Sequence, residues 1–142
     1  MPQKCDVLVS EVGPRDGLQS IDTVFTTKGK MDWIKREAKA GVTQIQVGSF
    51  VPPKLLPQLA DSTETVRQSI LIPNLTVAAL VPNMRGAENG MAAGAHQIGV
   101  VLSVSDAHNQ SNVRRTTQQS IDEFGQIINY RNTHPEYTDI VV

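Results

Sequence analysis

The sequence has little cysteine and no excess of either charge. Its single cysteine, Cys5, cannot form an internal disulfide, so the fold does not depend on an oxidising compartment. The 13 Lys and Arg residues against 14 Asp and Glu give a net charge of -1, which lacks the basic excess of a nucleic-acid-binding surface. No apolar run is long enough for a signal peptide or a membrane span. We therefore expect a cytoplasmic protein with neither nucleic-acid nor membrane partners.

Aromatic residues are also scarce, with one Trp, two Tyr and three Phe in 142 residues. The core must then be mostly aliphatic, which suits parallel strands buried beneath helices. Short β-rich runs alternate with helical runs in units of roughly 30 residues, the size of a βα repeat. This pattern predicts a parallel sheet, either doubly wound or closed into a barrel. The first strand is not followed by the glycine-rich fingerprint of a dinucleotide fold.

The predicted elements follow one another without a long gap. Strands are predicted at 7–12, 42–48, 75–81, 97–104 and 138–142, with helices at 27–40, 62–70, 83–94 and 117–131. Thr26 or Thr27 is expected to cap the first helix, and Ser62 or Thr63 the second. Residues 105–115 are predicted to form a polar loop.

The segment most suited to chemistry is residues 11–19, EVGPRDGLQ, directly after the first strand. In a barrel, this end of a strand lies on the catalytic face. Asp16 could bind a hard cation such as Mg²⁺ or Mn²⁺ through oxygen, and Arg15 could stabilise a developing oxyanion. Gly17 would allow a tight turn between them and the next residues. An ordinary polar turn with a surface ion pair is the alternative explanation of the same residues.

The segment resembles the signature of the 3-hydroxy-3-methylglutaryl-CoA lyases, and the resemblance continues in order along the chain. The similar segments are AGV at 40–42, GSFVPPK at 48–54, PQLAD at 57–61, VPNMRG at 81–86, AAGA at 92–95 and SVSD at 103–106. The resemblance implies an α/β fold of the (β/α)8 TIM-barrel family. Because a complete barrel needs ~250 residues, residues 1–142 would be the N-terminal part of one domain, about the first four and a half βα units.

The resemblance also implies a role for individual residues. Arg15 would polarise the substrate carbonyl and stabilise the enolate, and Asp16 would bind the divalent metal, Mg²⁺ or Mn²⁺. Gln46 occupies a catalytic position on the second strand. The expected contacts to an acyl-CoA substrate are Gln19, Ser49, Phe50, Ser105 and Asn112. The implied reaction is cleavage of 3-hydroxy-3-methylglutaryl-CoA to acetyl-CoA and acetoacetate, in a chain that could form a homo-oligomer.

The sequence departs from the family pattern in several places. Gln46 stands where a glutamate is usual, and Asp106 replaces another glutamate. The family's His-x-His metal pair and late cysteine loop have no counterpart, and Cys5 and the three histidines, His96, His108 and His134, do not replace them. We therefore expect an incomplete, inactive half of a lyase. A related acetyl-CoA-condensing synthase or aldolase, disfavoured by Leu18, and a non-catalytic half-barrel remain alternatives.

Overall fold

The computed structural model describes residues 7–142, so the prediction for Cys5 lies outside the described residues. Strands and helices alternate along the chain, as the sequence predicts. The strands are β1 (Ser10–Glu11), β2 (Gln44–Ser49), β3 (Thr76–Val81) and β4 (Gln97–Val100). The α-helices are α1 (Thr27–Lys39), α2 (Ser62–Ser69), α3 (Met84–Ala92), α4 (Asp106–Val113) and α5 (Thr117–Thr133). Short turns of other helical types span Gly13–Gly17, Pro57–Leu59 and Pro135–Tyr137.

The four strands form one sheet in the order β1-β2-β3-β4, and every neighbouring pair is parallel. Because the strands lie side by side in chain order, each connection leads from one strand to its immediate neighbour, and all the connections run in the same direction across the sheet. The carboxyl ends of all four strands therefore meet at one edge of the sheet, and the loops that follow them are neighbours.

The two faces of the sheet differ in polarity because successive side chains in a strand point to opposite faces. Ile45, Val47, Val77, Ala79, Val81 and Ile98 belong to the buried core with the helices. The opposite face carries glutamines, small residues and one leucine, namely Gln44, Gln46, Thr76, Ala78, Leu80, Gln97 and Gly99. One amide pair crosses it, from Gln44 Nε2 to Gln97 Oε1 at 2.9 Å. Half-exposed amides on this face remain available for polar contacts.

Helix α1 agrees closely with its prediction. The side chain of Thr26 accepts a hydrogen bond from the Gly29 N–H, so this threonine is the N-cap. Met31 and Ile34 are buried on the inner face. The helix gives way to Gly41, whose φ of 102° is accessible to glycine without strain.

The first strand is shorter than predicted. It covers Ser10–Glu11 instead of 7–12, and the exposed side chains of Val7, Leu8 and Val9 precede it. The strand ends here because the Glu11 carboxylate accepts a hydrogen bond from the Gly13 N–H at 2.6 Å. Pro14, the next residue, has no backbone N–H with which to continue the sheet.

The predicted cap of α2 was wrong. The N-cap is Asp61, without a side-chain capping bond. The Ser62 hydroxyl instead accepts from the Ser49 N–H at 3.0 Å and lies 2.9 Å from the Ser49 carbonyl oxygen. A serine predicted to begin a helix thus fastens the end of β2.

The segment after β4 also differs from its prediction. The strand ends at Val100, and the predicted polar loop 105–115 contains helix α4, capped by Ser105. The predicted fifth strand is reduced to one parallel bridge between Gln97 and Val141. None of the helices in residues 7–142 is long and apolar enough to cross a membrane.

Candidate active site

Arg15 and Asp16 lie in a tight helical turn, Gly13–Gly17, directly after β1. Both of their backbone N–H groups donate to the Val12 carbonyl, at 3.0 and 2.7 Å. The turn lies against α1, because a Cβ atom at Gly13 would approach the Trp33 ring to 2.7 Å. Glycine is thus required at position 13 for close packing. Gly17, which the sequence suggested as the flexible residue, does not adopt a positive φ.

The Arg15 guanidinium is held between two side chains. Its Nε donates to Gln46 Oε1 at 2.5 Å, and its Nη1 donates to Asp16 Oδ1 at 2.7 Å. The Arg15 side chain is 15% exposed and the Asp16 side chain 58% exposed. The structure thus brings three of the predicted residues, two from the turn after β1 and one from within β2, into one hydrogen-bonded cluster. A simple surface ion pair does not account for the contact with Gln46, which is 31 positions away.

Asp16 fits one carboxylate ligand of a divalent cation. Its Oδ1 is engaged by Arg15, and the carboxylate is otherwise open to solvent. Within residues 7–142 no group of three His, Cys, Asp or Glu side chains is arranged to hold a metal. A hard cation prefers about six oxygen ligands, so the described residues supply only part of a coordination sphere.

Ser49 and Phe50, predicted to contact substrate, line a cleft of about 320 Å³ between the loops that follow β2 and β3. The Ser49 side chain is 1% exposed, and its Oγ has no hydrogen-bond partner among residues 7–142. Phe50 is half-buried against α3, where a Cβ at Gly90 would approach its ring to 3.3 Å. The sequence did not single out the other polar residues of this cleft, Asn83, Arg85 and Asn89.

The remaining predicted contact residues are exposed. Gln19 follows the turn that carries Arg15, whereas Ser105 and Asn112 lie at the start and on the body of α4. All three come after the carboxyl ends of strands, so they lie toward the same end of the strands as Arg15. His108, also on α4, has its Nδ1 2.7 Å from the Ser103 hydroxyl.

The other two histidines are held by structural contacts. His96 precedes β4, and its Nδ1 accepts from the Val77 N–H at 3.0 Å, at the opposite end of the strands from Arg15. His134 packs against the rings of Tyr130 and Tyr137, with centroid distances of 4.0 and 5.9 Å. His96 thus lies at the amino-terminal end of the strands, and His134 is held by aromatic contacts.

Asp106 links α4 to the start of α5 and should make this junction sensitive to acid. Hydrogen bonds from Thr117, from its side chain and then its backbone N–H, lower the pKa of the Asp106 carboxyl below its usual value. The backbone bond to Asp106 Oδ1 is 2.7 Å long. A carboxyl with a lowered pKa favours the folded state above the unfolded-state pKa, and that contribution disappears as pH falls through the lower folded-state value.

We therefore expect the Thr117 amide resonance to titrate only below about pH 3.9, the usual aspartate pKa. An NMR titration from neutral to acidic pH measures this midpoint. The Asp106→Asn variant should show no such titration. A midpoint at or above the usual value would contradict the assignment.

Two further buried polar residues could not be recognised from the motifs of the sequence. Lys30 is 1% exposed and forms an ion pair with Asp61, which connects α1 to the segment before α2. Its position four residues before buried Ile34 indicates the inner face of α1 and could have revealed it. Asn109 is fully buried at the junction of α4 and α5. It lies inside the segment predicted as a loop, so no helical spacing pointed to it.

Comparisons with known proteins agree with this arrangement. The HMGL-like family matches residues 6–139. Hydroxymethylglutaryl-CoA lyase YngG of Bacillus subtilis is 37% identical over 129 residues, which cover 91% of this chain and 43% of the relative. The (R)-citramalyl-CoA lyase of Chloroflexus aurantiacus is 38% identical over 130 residues, which cover 84% of this chain and 41% of the relative.

A solved structure shows the same fold. The HMG-CoA lyase of Acinetobacter baumannii, in complex with coenzyme A and 3-methylmalate, superposes with a TM-score of 0.83 at 37% identity. The superposition covers 92% of this chain and 43% of that one. The predicted fold class is confirmed: the sheet and its helices match part of the lyase barrel. The chain spans less than half the length of these relatives, and it belongs to the HMGL-like family.

Proposed function

We propose that this chain contributes the first part of the active site of a carbon–carbon lyase that acts on 3-hydroxy-3-methylglutaryl-CoA. The observation that carries the proposal is the Arg15 guanidinium, which lies just after the carboxyl end of β1 and is held by Asp16 and by Gln46 of β2. A cation fixed at this end of parallel strands is suited to a charge that develops during reaction. The names of the lyases among the relatives support this choice of substrate class.

The proposed reaction is a retro-Claisen cleavage. A base removes the proton of the tertiary hydroxyl, the bond between C2 and C3 breaks, and the hydroxyl carbon becomes the ketone of acetoacetate. The electron pair of the broken bond forms the enolate of acetyl-CoA, which then takes up a proton at carbon. Arg15 would stabilise the enolate oxygen by charge and hydrogen bonding. A divalent metal, Mg²⁺ or Mn²⁺, when bound with Asp16 as one ligand, would supply Lewis acidity at the hydroxyl.

The substrate contacts belong to the same proposal. Gln19, Phe50, Ser105 and Asn112 come after the carboxyl ends of β1, β2 and β4, and Ser49 is the last residue of β2, so all five lie toward the end of the strands that carries Arg15. Ser49 and Phe50 border one cleft, and the Ser49 hydroxyl is buried without a hydrogen-bond partner among residues 7–142. A homo-oligomer and a cytoplasmic setting are likewise proposals.

We further propose that the 142-residue chain alone is catalytically inactive. Asp16 is one carboxylate, and the described part of the chain has no group of three His, Cys, Asp or Glu side chains that could hold a metal. The chain also corresponds to only 43% of the B. subtilis relative. A citramalyl-CoA substrate is a second candidate, because the C. aurantiacus lyase is as similar to the chain as the B. subtilis lyase is.

The test is a metal-dependent cleavage assay with both thioesters. The isolated chain should cleave neither thioester. A chimera in which its residues replace the matching 129 residues of the B. subtilis lyase should cleave one of the two thioesters. In the chimera, Asp16→Ala should lower kcat at least about a hundredfold, because the metal affinity and Lewis acidity depend on that ligand.

Asp22→Ala is the matched control, an exposed aspartate in the loop that follows the Arg15 turn, and it should leave kcat unchanged. Equal loss in both variants would point to a general loss of folding. A folded chimera that cleaves neither thioester would contradict the proposed lyase.

A further inference from the structure

Gly99 lies inside a strand without a local reason to be glycine. It belongs to β4 and pairs with Leu80 of β3, and its φ is not positive. A Cβ atom added at this position would lie 3.6 Å from Leu80 Cδ1 and 3.8 Å from Gln46 Nε2. Both distances are ordinary van der Waals contacts. Neither the backbone nor the packing of the described residues therefore requires glycine at position 99.

Other glycines near the same strands are required by packing. At Gly48 a Cβ atom would approach the Ser62 hydroxyl oxygen to 2.6 Å, and at Gly86 it would approach Pro82 Cδ to 2.7 Å. Glycine in the interior of a strand weakens that strand, and it often marks a bulge or a place where a ligand or another backbone approaches closely. The pairing of β3 with β4 is regular at Gly99, so the approach of a ligand is the explanation that fits this glycine.

The position of Gly99 connects it to the Arg15 cluster. Ser49 pairs with Leu80, and Leu80 pairs with Gly99, so these three residues form one row across the sheet near the carboxyl ends of the strands. The row lies on the face opposite the helices, the face that carries Gln46. The Gln46 carbonyl oxygen accepts the hydrogen bond from Arg15 Nε, and its Nε2 is the nearest polar atom to the added Cβ. One amide group thus links the Arg15 guanidinium to the open position.

We call the space at Gly99, between Leu80 Cδ1 and Gln46 Nε2, the Gly99 notch. Its two walls differ in polarity, because leucine is apolar and the Gln46 Nε2 group donates no hydrogen bond within residues 7–142. At the other end of the row, the buried Ser49 hydroxyl has no hydrogen-bond partner among the same residues. A ligand with polar groups beside Gln46 and an apolar branch in the notch matches this arrangement.

We propose that Gly99 is a specificity-determining residue that admits an alkyl group longer than methyl on the hydroxyl carbon of the substrate. In the retro-Claisen reaction this carbon is bonded to the carbon of the developing enolate, whose oxygen Arg15 stabilises. An alkyl branch on it extends past the Gln46 amide, lies on Gly99 and packs against Leu80. The inference deepens the proposed function and rests on it for the position of the acyl group.

The test uses the chimera with two thioesters that differ in one substituent, 3-hydroxy-3-methylglutaryl-CoA and its 3-pentyl analogue. The measured quantity is the ratio of kcat/KM for the pentyl substrate to that for the methyl substrate. Gly99→Val should lower this ratio at least about tenfold, because a hydrophobic pocket discriminates by about tenfold or more for each methylene that it excludes. Gly99→Ala should lower it less. Adding Leu80→Ala to Gly99→Val makes room again and should recover most of the ratio.

Val100→Ile is the matched control, because it adds one methyl group to the next residue of the same strand, on the opposite face. It should leave the ratio unchanged. Valine is a favourable strand residue, so Gly99→Val should retain the fold. An unchanged ratio in Gly99→Val, or an equal fall of the ratio in Val100→Ile, would overturn the inference even if the chimera is an active lyase.

Binding of the free acids by the 142-residue chain separates this inference from the proposed reaction. The probes are 3-hydroxy-3-methylglutarate and 3-hydroxy-3-pentylglutarate, observed through the Leu80 methyl resonances. The pentyl acid should shift these resonances, and Gly99→Val should weaken its binding at least about fivefold more than that of the methyl acid. This result with a chimera that cleaves neither thioester would support the notch and contradict the reaction. Equal weakening of both acids would overturn the inference.

Discussion

Replacing Asp61 with alanine is expected to lower the free energy of unfolding by about 3 kcal/mol, because it leaves a buried lysine without its counter-ion. Lys30 is 1% exposed, and its Nζ donates to the Asp61 carboxylate and to the Gln58 carbonyl oxygen. The other carboxylate oxygen of Asp61 accepts from the Thr27 hydroxyl at 2.7 Å. Urea denaturation followed by circular dichroism measures the change.

Asp32→Ala is the matched control on the same helix. Asp32 forms an ion pair with Lys28 at 3.0 Å, and both side chains are at least half exposed, so its removal should have little measurable effect. Lys30→Met removes the buried charge and keeps an apolar side chain of similar length. It should therefore lower the free energy of unfolding by less than Asp61→Ala does. Equal stability of Asp61→Ala and Asp32→Ala would show that the buried pair makes no special contribution.

The pair also connects two segments that reach the candidate active site. Helix α1 begins after the loop that follows Arg15 and Asp16, and Asp61 precedes α2, whose Ser62 holds the end of β2. A second bond across the same gap joins Gln58 Nε2 to the Ile21 carbonyl at 2.6 Å. The relative position of the loops after β1 and β2 therefore depends on charge and hydrogen bonding in addition to apolar packing.

The sequence predicted the regular part of the fold because local and long-range signals agree there. In α1, the Thr26 cap, the apolar positions Met31 and Ile34, and the stop at Gly41 all indicate the same helix. In β3, a continuous aliphatic run between turns indicates a buried strand. Where these signals coincide, as in β2 and β3, the predicted bounds lie within two residues of those observed.

The prediction was wrong where tertiary contacts determine the local structure. Residues 105–115 are polar and have no apolar stripe, so their composition predicted a loop, yet α4 forms around the buried side chain of Asn109. The strand predicted at 7–12 has the composition of a buried strand, but in the described residues its ladder with β2 covers Ser10–Glu11. A single sequence does not reveal how much of an edge strand finds a partner.

The candidate site was predicted in part. The motif placed Arg15 and Asp16 correctly at the end of the first strand, and the resemblance brought in Gln46 from the second. The orientation of the Gln46 amide could not be predicted, because it follows from a contact between residues 31 positions apart. The burial of Ser49 likewise depends on how Ser62 fastens the end of β2.

Asn109→Ala is the second change with a large expected effect, a loss of about 3 kcal/mol in the free energy of unfolding, because several backbone groups would lose a shared partner. Asn109 Oδ1 accepts from the Ser103 N–H at 3.0 Å. Its Nδ2 lies 2.9 and 3.0 Å from the carbonyl oxygens of Arg115 and Thr116, and 2.8 Å from the Ser120 hydroxyl. One side chain thus joins the end of the β4 segment to α4 and α5.

Asn112→Ala provides the comparison, since this exposed asparagine lies on the same helix, three residues later. It should change the stability by less than about 0.5 kcal/mol, as for most surface substitutions. Urea denaturation gives both values, and amide hydrogen exchange should show faster exchange across α4 and the start of α5 in Asn109→Ala alone. Equal effects of the two substitutions would mean that α4 is held by its own helical bonds and not by Asn109. The difference is expected because the Asn109 amide bonds three backbone groups, one after β4 and two just before α5, and alanine would leave all three without that partner.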